Sequence, residues 1–405
     1  MSKVILHIDL NAFFVRCEEL KDPSIIGKPV IIGHAGRGGI VSTCSYKARE
    51  YGIKSGMPTF KATKLCPNVL IIPGNYELYS SKSKEFINFV KRHSKIIEQA
   101  SIDECYVDMT SKLKEEKNPL DYIKKMQDDL YLETGLMCSI GVASTKFLAK
   151  MGSDYKKPMG ITVIHRRDIP RILYPLPIES FFGIGKKTSP KLHSMGIETI
   201  GDLANRINSD DEEVKREFGK FYFAIKDWIN GYGDDKVSTE EWDPKSIGNS
   251  TTFKRDTGDY EEIKEYVRML SKEVSSRAKE ANKVGWSVQL VLKESVFTNN
   301  NFKVINRSKK LTKPTNDFGI IFQEACKLLE DNLSANKSFR LAGVTLQNLV
   351  DPSDVVIQMS LFDNYEEIKE ECAARLLIGE LNRKMKKPVF KTAADSLRDK
   401  KYETR

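Results

Sequence analysis

Three acidic side chains stand where they could act together. Asp9 closes the apolar run Val4-Ile5-Leu6-His7-Ile8, and Asp103 with Glu104 occupies the tip of a hairpin expected over 98 to 109. The strand that follows, Cys105-Tyr106-Val107-Asp108, alternates between an inward and an outward face. If the two strands are neighbours, the three carboxylates converge. Clustered negative charge without compensation is unfavourable, so such a trio holds divalent cations. Hard oxygen donors with open positions favour Mg²⁺. Two such ions about 4 Å apart support in-line displacement at a phosphoryl group. Acids at strand ends also serve as solvated or capping groups, and spacing alone does not separate the two readings.

Other residues suit an anionic partner. Tyr46 and Arg49 are three apart, so on a helix they face the same side. Gly183-Ile184-Gly185-Lys186-Lys187, continuing to Met195-Gly196-Ile197, reads as a helix-hairpin-helix. Glycine N–H groups at such a turn bind a nucleic-acid phosphate without reading bases, and the lysines add charge. The 405-residue chain carries a net charge of +9, and residues 245 to 350 hold 18 Lys and Arg against 12 Asp and Glu. That balance raises the odds of a polyanionic partner.

The elements that position these groups are legible in outline. A strand at 3 to 9 leads into a Gly-rich, basic insertion to about 75. A helix follows with Phe86, Phe89, Val90, Ile96 and Ile97 on one side, and then the hairpin. A second amphipathic helix carries Tyr122, Ile123, Met126 and Leu130; strands at 137 to 143 and 160 to 164 flank a helix from Thr145. The alternation predicts a split βαβ sheet. Residues 166 to 233 read as helical, and the polar stretch from Tyr232 to Pro244 as a linker. A second α/β unit then runs strand (247 to 254), helix (260 to 281), strands near 285 to 293 and 301 to 306, helix (316 to 333) and strand (338 to 347).

His7-Ile8-Asp9-Leu10-Asn11-Ala12-Phe13-Phe14 together with Ser101-Ile102-Asp103-Glu104-Cys105-Tyr106-Val107-Asp108 closely resembles the two palm motifs of the Y-family, or translesion, DNA polymerases. The resemblance implies an α+β multidomain, right-hand polymerase with a ferredoxin-like palm (1–20 and 76–165), small fingers (21–75) and a helical helix-hairpin-helix thumb (166–233). A linker (234–244), an α/β little finger (245–350) and a tail (351–405) complete it. It makes Asp9, Asp103 and Glu104 the catalytic metal ligands for two Mg²⁺ ions, with the Leu10 carbonyl as a further ligand. Many relatives carry Asp where Asn11 stands, so the site is one charge less negative here. Phe14 falls at the steric gate that rejects ribonucleotides. In the fingers-like stretch Ser42 to Ile53, Tyr46 and Arg49 are implied to bind the β- and γ-phosphates of an incoming nucleotide, with Thr43 assisting; the planar Arg fork suits that task. Ser42 and Gly56 fall at a thin roof over the nascent base pair. Asp154-Tyr155-Lys156-Lys157-Pro158-Met159-Gly160 matches D-x-x-K-P-x-G, which makes Lys157 the triphosphate lysine. Lys245-Ser246-Ile247-Gly248 resembles the start of the little finger.

The implied function is lesion-bypass DNA synthesis of low fidelity and processivity on primer-template DNA with deoxynucleoside triphosphates, by a monomer without proofreading. Gly183, Gly185, Lys186, Lys254, Arg255 and Arg307 are the expected DNA contacts, with Lys293, Lys309 and Lys310 as further basic positions. Gln358-Met359-Ser360-Leu361-Phe362-Asp363 resembles the peptide by which bacterial replication proteins bind the sliding clamp (β subunit), Gln358 orienting and Leu361 and Phe362 anchoring. A tether of that kind raises effective concentration. Seven scattered cysteines without a C-x-x-C pair fit reduced thiols, and no apolar run approaches a membrane span, so a cytoplasmic location is expected. Two other readings fit parts of the pattern. A catalytically silent DNA- and clamp-binding relative would not need Asp9, Asp103, Glu104, Arg49 and Lys157 intact. A nucleotidyl cyclase would use the same acids but leave the basic C-terminal unit without a role.

Overall fold

The computed structural model describes residues 3–240, 242–298, 301–333 and 337–355, with isolated positions beyond. The chain divides into two units, residues 1–241 and 242–405.

The first unit opens with β1 (Ile5–Leu10) and α1 (Phe13–Lys21). A small insertion follows: β2 (Val30–Gly33), β3 (Val41–Cys44), α2 (Tyr46–Glu50), α3 (Thr59–Leu65) and β4 (Leu70–Ile72). It forms its own three-stranded sheet, ordered β3-β2-β4, around Ile31, Val41, Cys44 and Ile53. The chain returns through α4 (Tyr76–Lys91), the hairpin of β5 (Ile97–Gln99) and β6 (Glu104–Asp108), α5 (Thr110–Glu115) and α6 (Pro119–Thr134). It then runs through β7 (Cys138–Ala143), α7 (Lys146–Tyr155) and β8 (Ile161–Ile164).

The resulting sheet is ordered β5-β6-β1-β7-β8, with β1 antiparallel to both neighbours and β7 parallel to β8. This is the ferredoxin-like split βαβ arrangement with one strand added at the β7 edge. Because side chains alternate along a strand, β1 serves two cores at once. Leu6, Ile8 and Leu10 pack with Phe86 and Phe89 of α4 and Met126 and Leu130 of α6. Ile5, on the opposite face with His7 and Asp9, packs with Phe147, Leu148 and Met151 of α7. The helix α7 lies against β1, β7 and β8. Its approach is close: a Cβ on Gly141 would overlap the Ala149 carbonyl oxygen, so glycine at 141 is what admits the helix to this depth.

Residues 166–231 are helical: α8 (Ile169–Ile172), α9 (Ser189–Ser194), α10 (Ile200–Asn208), α11 (Glu212–Phe218) and α12 (Tyr222–Ile229). A reciprocal capping box between Thr199 and Asp202 starts α10. The stretch expected as a linker is fixed at its start. Asp234 pairs with Lys146 at 2.8 Å, and the Ser238 N–H donates to Glu98 at 2.7 Å.

The second unit contains β9 (Ser246–Thr257), α13 (Tyr260–Glu280), β10 (Val284–Thr298), β11 (Asn301–Thr315), α14 (Phe318–Glu330) and β12 (Phe339–Val350). Its sheet is ordered β11-β10-β12-β9, and Val267, Leu270, Ile321 and Leu329 of the two helices share a core with Val288, Leu290 and Val344. The strands run longer than the sequence suggests, β11 by nine residues beyond the expected end at 306.

Candidate active site

The chemistry-bearing residues gather where β1, β6 and α7 meet. Asp9 and Glu104 are direct partners across the antiparallel β1–β6 ladder, a position that brings Cβ atoms within about 5 Å. Asp103, the residue before β6, is fixed through its backbone: the Leu10 N–H donates to its carbonyl at 3.0 Å. Its carboxylate accepts from the Ser101 hydroxyl at 2.6 Å. Leu10 and Asp103 are thus neighbours through the main chain: Asp9 and Leu10 end β1, Glu104 starts β6 and Asp103 directly precedes it.

Two lysines complete the site. Lys150 of α7, buried, donates to Asp9 Oδ2 at 2.9 Å and Glu104 Oε1 at 2.6 Å, and lies 3.4 Å from Asp154. Lys157 reaches Asp9 Oδ1 at 2.7 Å and Asp154 at 2.8 Å. Burial opposes the charge on Lys150, but Asp9, Asp154 and Glu104 outweigh it and hold its pKa above the usual lysine range. Burial and a hydrogen bond shared with Glu104 push Asp9 up to about 6, against the pull of both lysines. Glu104 goes the other way. Burial would raise it, but the polar contacts of His7, Asp9 and Lys150 keep it below the ordinary carboxylate range.

His7 sits beneath this pair, fully buried, with Nδ1 2.7 Å from Ser153 Oγ and Nε2 3.7 Å from Glu104. Burial lowers its pKa and keeps the ring neutral. The Ser153 hydroxyl donates to the Lys150 carbonyl at 2.9 Å, so its oxygen is free to accept from the His7 ring.

The donor set fits a hard divalent cation. Asp9 and Glu104 already share one cation, the Lys150 ammonium, with every N···O distance under 3 Å. Among the described residues no group of three or more acidic, histidine or cysteine side chains forms a ready metal site, and the Asp103 carboxylate is engaged by Ser101.

Around the acids, Tyr46 and Arg49 lie on α2, capped by Ser45, with the guanidinium 4.7 Å from the Tyr46 ring centre. The Tyr46 hydroxyl is buried without a partner and senses the charges of Lys157, Asp9 and Asp154. Thr43 is half-buried on β3 opposite Ile32. Ser42 is exposed beside it, and Gly56 has φ +79° with open space where a Cβ would point. Phe14 stacks on Tyr79 at 4.2 Å with the rings 10° from parallel, and the Tyr79 hydroxyl donates to Glu18 at 2.8 Å. The Phe14 ring is thereby held against Tyr79 of α4.

Asn11 is buried in a structural role. Its Oδ1 accepts from the Met159 N–H at 2.8 Å, and its amide donates to Ser139 Oγ at 3.0 Å. It ties β1 to the loop that carries Lys157, and the Ser139 hydroxyl also lies 3.2 Å from Asn11 Oδ1, within reach to donate to it.

The expected DNA contacts are dispersed. Gly183, at φ +97°, and Gly185 have open space where a Cβ would stand, and Lys186 is exposed beside them. Lys254 and Arg307 are exposed, whereas Arg255 is engaged with Glu262 at 3.3 Å. Gln358, Leu361 and Phe362 lie outside the described residues.

His7, Lys150, Ser153, Asp154, Tyr79 and the role of Asn11 were not assigned from sequence. A signal existed for one group: Lys150, Asp154 and Lys157 are spaced i, i+4 and i+7, a charged stripe beside the apolar residues of α7.

Comparison with known proteins is consistent over most of the chain. Residues 8–154 match the model of the impB/mucB/samB family, 244–361 the C-terminal domain of that family, and 166–197 the IMS family HHH motif. The chain is 38% identical over 373 residues to DNA polymerase IV of Alkaliphilus oremlandii (strain OhILAs), covering 92% of each. It is 36% identical to DNA polymerase IV 1 of Bacillus subtilis (strain 168), covering 95% of this chain and 91% of that one. Among solved structures it resembles a Y-family DNA polymerase chimera, with a TM-score of 0.75, 26% identity, and 86% of this chain and 99% of that chain covered. With the same identity and coverage, an insertion ternary complex of Dbh DNA polymerase gives a TM-score of 0.57.

Proposed function

Because the chain belongs to the impB/mucB/samB family of Y-family DNA polymerases, we propose that its acidic site extends a primer on template DNA by two-metal nucleotidyl transfer. The enzyme is a DNA-directed DNA polymerase of the translesion class. The observation that carries the mechanism is the Asp9–Glu104 pair across β1 and β6, with Lys150 and Lys157 facing it. Two carboxylates with cation-binding geometry beside two lysines suit a triphosphate and its counter-ions.

Asp9, Asp103 and Glu104, with the Leu10 carbonyl, would hold two Mg²⁺ ions. These would supply Lewis acidity to the primer 3′-hydroxyl and charge neutralisation to the departing pyrophosphate. The chain's own residues do the rest. Lys157 leaves Asp9 for the triphosphate, Arg49 and Tyr46 grip its outer phosphates with help from Thr43, and Phe14, braced on Tyr79, excludes a 2′-hydroxyl. The exposed Ser42 and the bare Gly56 leave little side chain to check the shape of the nascent pair, which suits low fidelity and lesion bypass.

Primer-template DNA and deoxynucleoside triphosphates are the substrates; a ternary complex of a structural relative supports that choice. Gly183, Gly185, Lys186, Lys254, Arg255 and Arg307 are proposed to contact the DNA backbone, and Gln358, Leu361 and Phe362 the sliding clamp. We further propose that the enzyme acts as a monomer in the cytoplasm without proofreading. Among the described residues no helix is long and apolar enough to cross a membrane.

The test is primer extension with Mg²⁺ on undamaged and abasic templates, comparing the native chain with Asp103→Ala. Extension by the native chain alone, including past the lesion, supports the reading. Absence of extension despite tight primer-template binding overturns it. Deleting Gln358 to Phe362 is expected to leave distributive synthesis unchanged and remove clamp stimulation; equal stimulation in both chains overturns that part.

A further inference from the structure

Lys150 is the most constrained cation of the first unit. It projects from α7 with its side chain about 10% exposed, among Leu148, Ala149 and Met151, which are buried. An ammonium has three N–H donors, and here three carboxylates surround it: Asp9, Glu104 and Asp154. Two of these are the acids proposed to bind Mg²⁺. A lysine that only braced a helix would need one carboxylate, and Asp154, one turn along α7, would suffice. Lys150 instead spans β1 and β6 at the position where their acids pair.

We propose that Lys150 is a built-in counter-cation of the acidic site, a positioning residue whose ammonium competes with divalent cations for Asp9 Oδ2 and Glu104 Oε1. The inference rests on the polymerase reading above and adds a device to it. Lys157 holds the other Asp9 oxygen, Oδ1, so both oxygens of Asp9 are engaged by ammonium groups. The acids are kept together and partly neutralised by the chain's own charges, and a divalent ion must displace an internal cation to reach them. Lys157 is the more exposed of the two lysines, so its move to a triphosphate frees Oδ1 and couples nucleotide arrival to metal loading. Lys150 then sets how weakly metal binds without nucleotide.

The probe is Mn²⁺ alone, titrated into the full chain without DNA or nucleotide and followed by electron paramagnetic resonance. Asp9→Asn identifies the signal that belongs to this site. Lys150→Met, which keeps the length and removes the charge, is expected to tighten the Mn²⁺ Kd by on the order of tenfold or more, because a like charge a few ångströms away is removed. It should also lower the metal-free melting temperature, since buried Asp9 and half-buried Glu104 lose their partner. Lys150→Arg should stay near the native Kd. An unchanged or weaker Kd in folded Lys150→Met overturns the proposal, and a melting temperature lowered equally with and without Mn²⁺ shows a brace only.

If Lys150→Met does not fold, the native chain still decides. Acetylation of Lys150 by acetic anhydride, read by mass spectrometry, should rise when Mn²⁺ is added; unchanged protection overturns the proposal. Primer extension by the native chain is measured in parallel. Extension with no change in Kd removes only this inference, whereas failure of extension removes the polymerase reading and leaves the Lys150 result standing.

Discussion

The chain handles charge in opposite ways in two places. Where β1, β6 and α7 meet, lysines and carboxylates are largely buried and paired within 3 Å, most contacts linking residues far apart in sequence. Along β11, one edge strand of the second unit's sheet, Lys303, Arg307, Lys309 and Lys310 stand exposed. Buried charge is expensive unless matched, so each group in the first place has a fixed geometry and a single-residue change should be felt in full. Exposed charge is screened and interchangeable, so the second place acts by its sum. One region fixes individual atoms, and the other presents a row of exposed positive charge.

The largest effect that would sharpen this contrast is on synthesis. Asp103→Ala is expected to reduce the rate of primer extension by at least about a thousandfold, while the primer-template Kd changes by no more than about twofold. Filter binding and single-turnover kinetics on the same samples check it. A variant that loses DNA binding along with synthesis would erase the distinction between the two regions.

A smaller effect concerns protons. Asp9, held near 6 by burial and its bond to Glu104, carries its proton below that pH and must release it to bind a metal. The Mn²⁺ affinity of the native chain should therefore be flat above about pH 7. It should fall toward tenfold per pH unit below about 6. An exposed carboxylate would show the break nearer its ordinary value of about 4.

Smaller again is the effect of an anchor one step removed. Asn11→Ala deletes the bond that holds the Met159 N–H and should loosen the loop carrying Lys157. The KM for the incoming nucleotide is expected to rise roughly tenfold, with a smaller change in kcat. Equal losses in both parameters would point to the acids rather than the lysine loop.

Much of this was legible in the sequence. The apolar run of β1 marks a strand buried on both faces, and the amphipathic faces of α4 and α6 mark the helices that cover one of them. The strand after the hairpin tip was readable because Cys105 to Asp108 alternate. Other features were hidden for physical reasons. Ser308, Lys309 and Lys310 form a polar run with little apolar alternation, yet they pair with Gln289, Val288 and Ser287 of β10; backbone hydrogen bonds at a solvent-facing edge carry no apolar signal. Lys150 was passed over because a lysine amid apolar helix residues usually extends its head to water. Nothing local reveals that Asp9, 141 residues away, waits above it. Asn11 looked like one missing charge, whereas its amide is matched to Ser139 and Met159, both distant in sequence.

The smallest expected effect separates two arginines of the second unit that look alike in sequence. Arg307 has a main-chain contact to Asn306 and an exposed side chain, whereas Arg255 is paired with Glu262 through two nitrogens at 3.3 and 3.4 Å. To meet a DNA phosphate, Arg255 must first give up that partner, so its net gain on binding is smaller. Arg307→Ala should weaken primer-template binding a few-fold at low salt and reduce the slope of log K against log salt by about 1. Arg255→Ala should change both by less than half as much. Glu262→Gln, which frees Arg255 without removing it, should strengthen binding slightly and steepen the salt slope. If Arg255→Ala proves as costly as Arg307→Ala, the Arg255–Glu262 pair does not restrain the guanidinium, and charge in the second unit is placed residue by residue after all.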